Sequence, residues 1–223
     1  MSYFVKKITP SISEVRCALI PGCLTNSYVI CSARANYLID SGLGSGTALE
    51  MKKYVDNTKP TYLINTHYHW DHIWGNAYFD NAVVVCHEFC ARNIEQHWDG
   101  MVESKKQFID GETKKTDINI TFVSGLTINN ELDLIFSPGH TDDSISAFYR
   151  EDKALFVGDL IGDDDTELVP SVKDPDNFLA SLEKCIAIDP VLYISGHHEI
   201  QHKGIMEKIK EMYLEENRAQ SPL

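Results

Sequence analysis

Thr66-His67-Tyr68-His69-Trp70-Asp71-His72 gathers three of the chain's nine histidines and a carboxylate into six residues. The run before it, Tyr62-Leu63-Ile64-Asn65, alternates and is apolar enough to be a buried strand. The run after it, Ile73-Trp74-Gly75-Asn76-Ala77-Tyr78-Phe79, reads as a short helix. Four metal-competent side chains therefore sit at a strand-to-helix junction, where a rigid strand aims the loop. Side chains two apart on an extended segment point the same way, so His67 and His69 can grip one ion together. Asp71 and His72 lie past the turn and can face a second. Imidazole and carboxylate suit borderline-hard divalent cations, zinc above all, with iron and manganese as alternatives. An affinity tag would not be interrupted by Asp and Trp, nor follow a strand.

The chain around this stretch has 223 residues, enough for one sizeable core, and a single domain over 1–223 is expected. No Pro/Gly/Ser-rich linker or low-complexity run divides it. The hydrophobic share of 43% and charged share of 24% are ordinary for a soluble globular protein. No apolar run approaches the roughly 20 residues of a membrane span, and the N-terminus lacks the apolar core of a secretory signal. A net charge of −13 argues against a broad nucleic-acid or anionic-membrane surface, leaving a small-molecule substrate as the expected partner. The six cysteines show no CxxC pair and read as reduced thiols of a cytoplasmic protein. Cys86-His87-Glu88-Phe89-Cys90 resembles a metal knuckle, but Cys86 reads as a strand end and Cys90 as packing beneath the next helix.

The spacing predicts strands over 15–20, 26–31 and 36–40, with a turn at Pro21-Gly22, then a helix over 48–56. Further strands are predicted over 62–65, 81–85, 118–123, 131–136, 145–149, 154–157 and 192–195. Residues 88–115 read as a helical excursion roofing a pocket. Helices are predicted over 175–186, with Asp174 as cap, and over 204–216. Two halves of similar order suggest two sheets packed face to face with helices outside.

Two ions need more ligands than this stretch supplies, and candidates stand where later strands end. Phe136-Ser137-Pro138-Gly139-His140, Phe156-Val157-Gly158-Asp159 and Ile194-Ser195-Gly196-His197 each follow an apolar strand with Gly and one ligand-type residue. With the first cluster they form a set that resembles the metallo-β-lactamase-fold superfamily, whose mark is HxHxDH. The resemblance covers about residues 15–198. It implies an α+β, four-layer αββα sandwich of two mixed β-sheets flanked by helices, with metals where the sheet edges meet. It also implies that His67, His69 and His140 hold a first metal, and Asp71, His72 and His197 a second. Asp159 would bridge the two, and Asp40 would hold a ligand loop through hydrogen bonds. His198 follows His197 directly, but the residue after Gly196 matches the motif.

Departures narrow the function. Class B β-lactamases typically carry cysteine where Asp159 stands, so the resemblance is closer to the glyoxalase II-like branch. The basic C-terminal helical extension of that enzyme is not expected here, since the chain ends soon after His197. Flavodiiron proteins carry Glu for the second histidine, and RNase Z-type nucleases need a basic exosite; neither matches. The resulting expectation is a metallo-hydrolase whose two zinc ions bring a water's pKa from 15.7 towards about 7. The hydroxide would attack a thioester, ester or lactone carbonyl, with Asp71 as the catalytic proton shuttle. A mononuclear iron persulfide dioxygenase and a phosphodiesterase remain the alternatives. Candidate pocket walls are residues 21–26, the 88–115 excursion with Trp98 and Met101, and residues 162–169, whose Asp163, Asp164 and Asp165 read as a solvated charge cluster. Trp74 reads as core, Trp70 equally as core or as a substrate-stacking surface.

Overall fold

The computed structural model describes residues 3–164 and 166–220, without the side chains of the last two; Asp165 of the acidic loop lies outside the described residues. Twelve strands form two sheets. The first runs in chain order: β1 (Tyr3–Lys7), β2 (Ile12–Ile20), β3 (Cys23–Cys31), β4 (Asn36–Ile39), β5 (Thr61–Ile64), β6 (Ala82–His87) and β7 (Ile120–Phe122). It is antiparallel from β1 to β4 and parallel from β4 to β7. The second sheet holds β8 (Gly125–Ile128), β9 (Leu132–Phe136), β10 (Ile145–Tyr149), β11 (Ala154–Gly158) and β12 (Leu192–Ser195), in the spatial order β12-β11-β10-β9-β8. Only its β11–β12 pair is parallel.

The central strands are nearly continuous in apolar residues because both of their faces are covered. Tyr37 and Ile39 on β4 and Phe156 on β11 point into one core shared by both sheets. Leu38 and Leu63 face outwards against α1 (Ser45–Lys52). On the other side Leu155, Val157 and Tyr193 face α4 (Pro175–Ile188) and α5 (Ile205–Gln220). Helix, sheet, sheet, helix is the resulting layering, as the sequence led one to expect. Asp174 caps α4 by accepting from the Asn177 amide at 3.0 Å, with Pro175 in the first turn.

Several boundaries differ from expectation, each for a visible reason. The helix expected over 48–56 begins at Ser45 and stops at Lys52, because the Asn36 side chain bonds both the amide and the carbonyl of Asp56 and draws the chain away. The helix expected over 73–79 starts inside the histidine stretch instead. His69 is the N-cap of α2 (Trp70–Ile73), so Asp71 and His72 are helical, and only a 3₁₀ turn follows at Asn76–Tyr78. The 88–115 excursion is helical only as α3 (Glu88–Lys105) and a short 3₁₀ turn. Beyond it the chain is pinned back by Asp110, whose buried carboxylate accepts from Tyr3 Oη at 2.6 Å and Thr47 Oγ1 at 2.8 Å. Strands β1 and β8 are edge strands that the periodicity did not show. The Asn129-Asn130 pair, at φ of 52° and 60°, makes the tight turn between β8 and β9, a hairpin signal the sequence did carry. Cys86 lies in β6 as expected, whereas Cys90 is not beneath the next helix but on the buried face of α3 itself, in one apolar cluster with Cys86 and Trp98; all six cysteines are free. None of the described helices is long and apolar enough to cross a membrane.

Candidate metal centre

Strands β4 and β5 in one sheet, and β9, β11 and β12 in the other, end at one edge of the sandwich. Each delivers a side chain there. Asp40 follows β4 with a left-handed φ of 57°. His67, His69, Asp71 and His72 follow β5, while His140, Asp159 and His197 come one to four residues after β9, β11 and β12. Two of the glycines that precede these residues are required sterically. Gly158 turns at φ 53°, a conformation that costs a side chain. A Cβ on Gly196 would sit 2.6 Å from Asp159 Oδ1 and 2.7 Å from His72 Cε1, inside the cluster itself.

The residues converge in two groups. His67, His69, His140 and Asp159 form one, Asp71, His72 and His197 the other, with the donor atoms of each group within 4.8 Å of one another. Asp159 lies between them: Oδ2 is 3.5 Å from His67 Nε2, 3.6 Å from His140 Nε2 and 3.4 Å from His197 Nε2, and Oδ1 is 3.3 Å from His72 Nε2. Asp71 Oδ2 is 3.4 Å from His197 Nε2. His198 turns away, with Nε2 2.9 Å from the Glu167 carbonyl. The Cys86–Cys90 stretch belongs to neither group.

Outside the cluster, four contacts set which ring nitrogen faces inward. Nδ1 of His197 donates to the Leu24 carbonyl at 2.6 Å, and Nδ1 of His140 to the Ser171 carbonyl at 3.0 Å. His72 donates through Nδ1 to Asp40 Oδ2 at 2.8 Å, and His67 Nδ1 lies 3.1 Å from Thr66 Oγ1. Asp40 also accepts from the Thr66 amide and hydroxyl, both at 2.8 Å. Each of these rings therefore offers a lone pair at Nε2. His69 is the exception, presenting Nδ1 at 3.1 Å from His140 Nε2.

Nε2 of His67, His72 and His197 and Oδ1 of Asp159 are buried and make no hydrogen bond. A buried polar atom left unpaired costs about 1–3 kcal/mol. Four such atoms aimed at one another fit a divalent cation, whose usual donors are imidazole nitrogen and carboxylate oxygen.

Electrostatics divide the imidazoles. Burial, with His72 nearby, holds His67 well below the usual histidine range, and burial with His140 holds His69 down to about 3. Burial also pulls on His72 and His197, but Asp159 and the other carboxylates outweigh it and raise both well above that range. The same imidazoles overcome the burial of Asp159 and keep its carboxyl well below the usual range.

The sequence profile of the metallo-β-lactamase superfamily matches residues 20–197, from the β2–β3 hairpin to the last histidine of the cluster. The chain belongs to this superfamily. A beta-lactamase-like protein 2 homolog of Caenorhabditis elegans is 28% identical over 86% of this chain and 61% of its own length. An atrochrysone carboxyl ACP thioesterase of Aspergillus fumigatus is 25% identical over 78% of this chain and 50% of its own. This superfamily member thus spans about half to three-fifths of those relatives. The solved structure of TMB-1 superposes with a TM-score of 0.78 at 15% identity, covering 97% of this chain and 99% of that one, a likeness of fold.

Some residues around the centre were not legible beforehand. The carbonyls of Leu24 and Ser171 leave no mark in a sequence. Thr66 could have been noticed, being a hydroxyl between strand and motif. The 21–26 stretch does wall the centre, but as a clamp: the Asn26 amide donates to the Gly196 carbonyl at 2.7 Å and its side chain to the His198 carbonyl at 3.1 Å. Trp98 is core, whereas Met101 lines an open groove of about 420 Å³ beside His69, with Tyr68, Trp70, His97 and Lys105. Trp74 is fully buried, and Trp70 stacks on Phe108 with ring centres 5.6 Å apart.

Proposed function

We propose that this protein is a metal-dependent hydrolase that uses two divalent cations, zinc first, to bring water onto the carbonyl carbon of a small thioester, ester or lactone. The observation that carries the reading is the fixed orientation of the rings: each Nδ1 of His72, His140 and His197 is committed to an outer acceptor, so each Nε2 is committed to the centre. His67, His69, His140 and Asp159 would hold one cation; Asp71, His72 and His197 would hold the other, with Asp159 shared. When bound, such cations lower the pKa of water towards about 7 and polarise a carbonyl oxygen. The chain's own residues do the rest. Asp71 is the member of the second group with measurable exposure, 8%, so its carboxylate can face solvent and substrate. It orients the attacking water, takes its proton as the carbon–oxygen bond forms, and returns it to the leaving group as the carbonyl–heteroatom bond breaks.

The thioesterase activity in the name of the Aspergillus relative supports a thioester as the first substrate to try. The net charge of −13 supports a small molecule over nucleic acid. Six unpaired cysteines support a cytoplasmic setting, where thiols stay reduced. Elemental analysis of protein purified without added metal tests the reading, followed by a screen of thioesters, lactones and esters. Near two zinc ions per chain with thioester turnover is the expected result. A single iron with oxygen uptake on persulfides would overturn it.

A further inference from the structure

The groove beside His69 has a composition of its own. Tyr68 and Trp70 flank His69 on its floor, Met101 and His97 come from α3, and no carboxylate is among its lining residues. Its volume of about 420 Å³ lies in the range of sites for small organic ligands. His69 joins groove and centre, because its Nδ1 stands 3.1 Å from His140 Nε2.

Two lysines overhang the aromatic walls. Lys105 Nζ is 5.8 Å from the centre of the Trp70 ring. Lys173 Nζ is 5.5 Å from the centre of the Tyr68 ring and donates to Tyr68 Oη at 3.3 Å. Neighbouring lysines are neutralised: Lys106 pairs with Glu103 at 2.9 Å and Lys115 with Glu95 at 2.5 Å. Lys105 and Lys173 form no ion pair among the described residues. In a chain of net charge −13, which repels anions at long range, two lysines without an ion pair beside a groove with no carboxylate in its lining favour an anion there. Their reach is a Debye length, about 8 Å at physiological salt, and their ammonium groups stand 5.8 and 5.5 Å from the Trp70 and Tyr68 rings that line the groove.

We infer that this groove is the substrate-recognition site, and that it selects an apolar or aromatic body bearing an anionic end, which Lys105 and Lys173 read. The inference rests on the hydrolase reading above and narrows its substrate class. The aromatic walls take the body, the lysines take the charge, and the reacting carbonyl falls at His69.

Calorimetric titration of the metal-loaded protein with 1-naphthylacetate and with the neutral 1-naphthylacetamide tests this without turnover. The carboxylate should bind about tenfold tighter than the amide at low salt, and the preference should shrink as salt rises. In the Lys105→Ala/Lys173→Ala double variant the two probes should bind within about twofold of each other, with amide affinity and metal content unchanged. An anion preference that survives in the double variant is read by the metal centre and overturns the assignment. So does equal affinity in the parent protein, or binding of neither probe. A protein that binds as described yet turns over no carbonyl substrate would sink the hydrolase reading and leave the groove's selectivity standing.

Discussion

Asp159 and Asp143 are both buried carboxylates on loops after strands of the second sheet, yet the structure drives them in opposite directions. Asp159 stands among four imidazoles, which overcome its burial and hold it charged. Asp143, three residues past His140, pairs with no cation among the described residues, and burial pushes it up to about 6. Burial alone makes a carboxyl favour its proton; only an arranged positive field makes it a dependable anion. The edge of the sandwich is thus a place built for charge, and it ends within one turn of chain. The same division runs through the cluster, where burial depresses His67 and His69 while nearby carboxylates raise His72 and His197.

Breaking the contrast at its centre has the largest expected effect. Asp159→Asn removes the carboxylate that lies between the two groups, and with it the negative charge that would offset a cation there, so metal content and hydrolysis should both fall to background. Full activity in that variant would show that Asp159 bridges nothing. Asp71→Asn should separate the two properties instead. Turnover should fall about 10²- to 10⁴-fold while most of the metal is retained, the scale of a lost general acid–base group. Equal loss of metal and turnover would make Asp71 a ligand and nothing more.

Acidification sharpens the contrast between the two groups. Protons and cations compete for the same lone pairs. His72 and His197 are raised above the ordinary histidine range by the carboxylates around them, so the competition there sets in at a higher pH and grows as pH falls. His67 and His69 are depressed and stay available to lower pH. Stepwise dialysis from pH 8 to 5 should therefore release the ion of the Asp71, His72 and His197 group first. Simultaneous release of both would remove the distinction.

What the sequence showed of this arrangement follows from what a candidate ligand set requires. His67, His69, Asp71 and His72 are adjacent in the chain, so their grouping was visible as spacing. His140, Asp159 and His197 were visible because each needs a strand to aim it and a glycine to let the loop close, and both leave a pattern. The layered fold was equally visible, since strands covered on both faces must be apolar throughout. Hidden were contacts made by backbone, such as the Leu24 and Ser171 carbonyls, and an edge strand such as β1, whose apolar residues Phe4 and Val5 stay exposed and so show no alternation of buried and exposed faces. Lys105 and Lys173 lie 68 residues apart, and neither means anything until α3 and the loop before α4 bring them over Trp70 and Tyr68.

The smallest effect is expected at Asp143, and its sign is the informative part. Its folded pKa of about 6 stands above the ordinary 3.8 of an exposed aspartate, so the folded state holds a proton that the unfolded chain has given up. The protonated form's contribution to stability is fully present below the unfolded value and is lost as pH rises through about 6. The difference of about 2 corresponds to about 3 kcal/mol. Asp143→Asn keeps the shape and removes the titration, so thermal unfolding should show the variant more stable than the parent at pH 8 and equal to it near pH 4. Asp159→Asn should not show this pattern, because the folded state keeps the Asp159 carboxyl charged. If Asp143→Asn is destabilising at pH 8, a donor holds that carboxylate charged after all, and the two acids at this edge are alike.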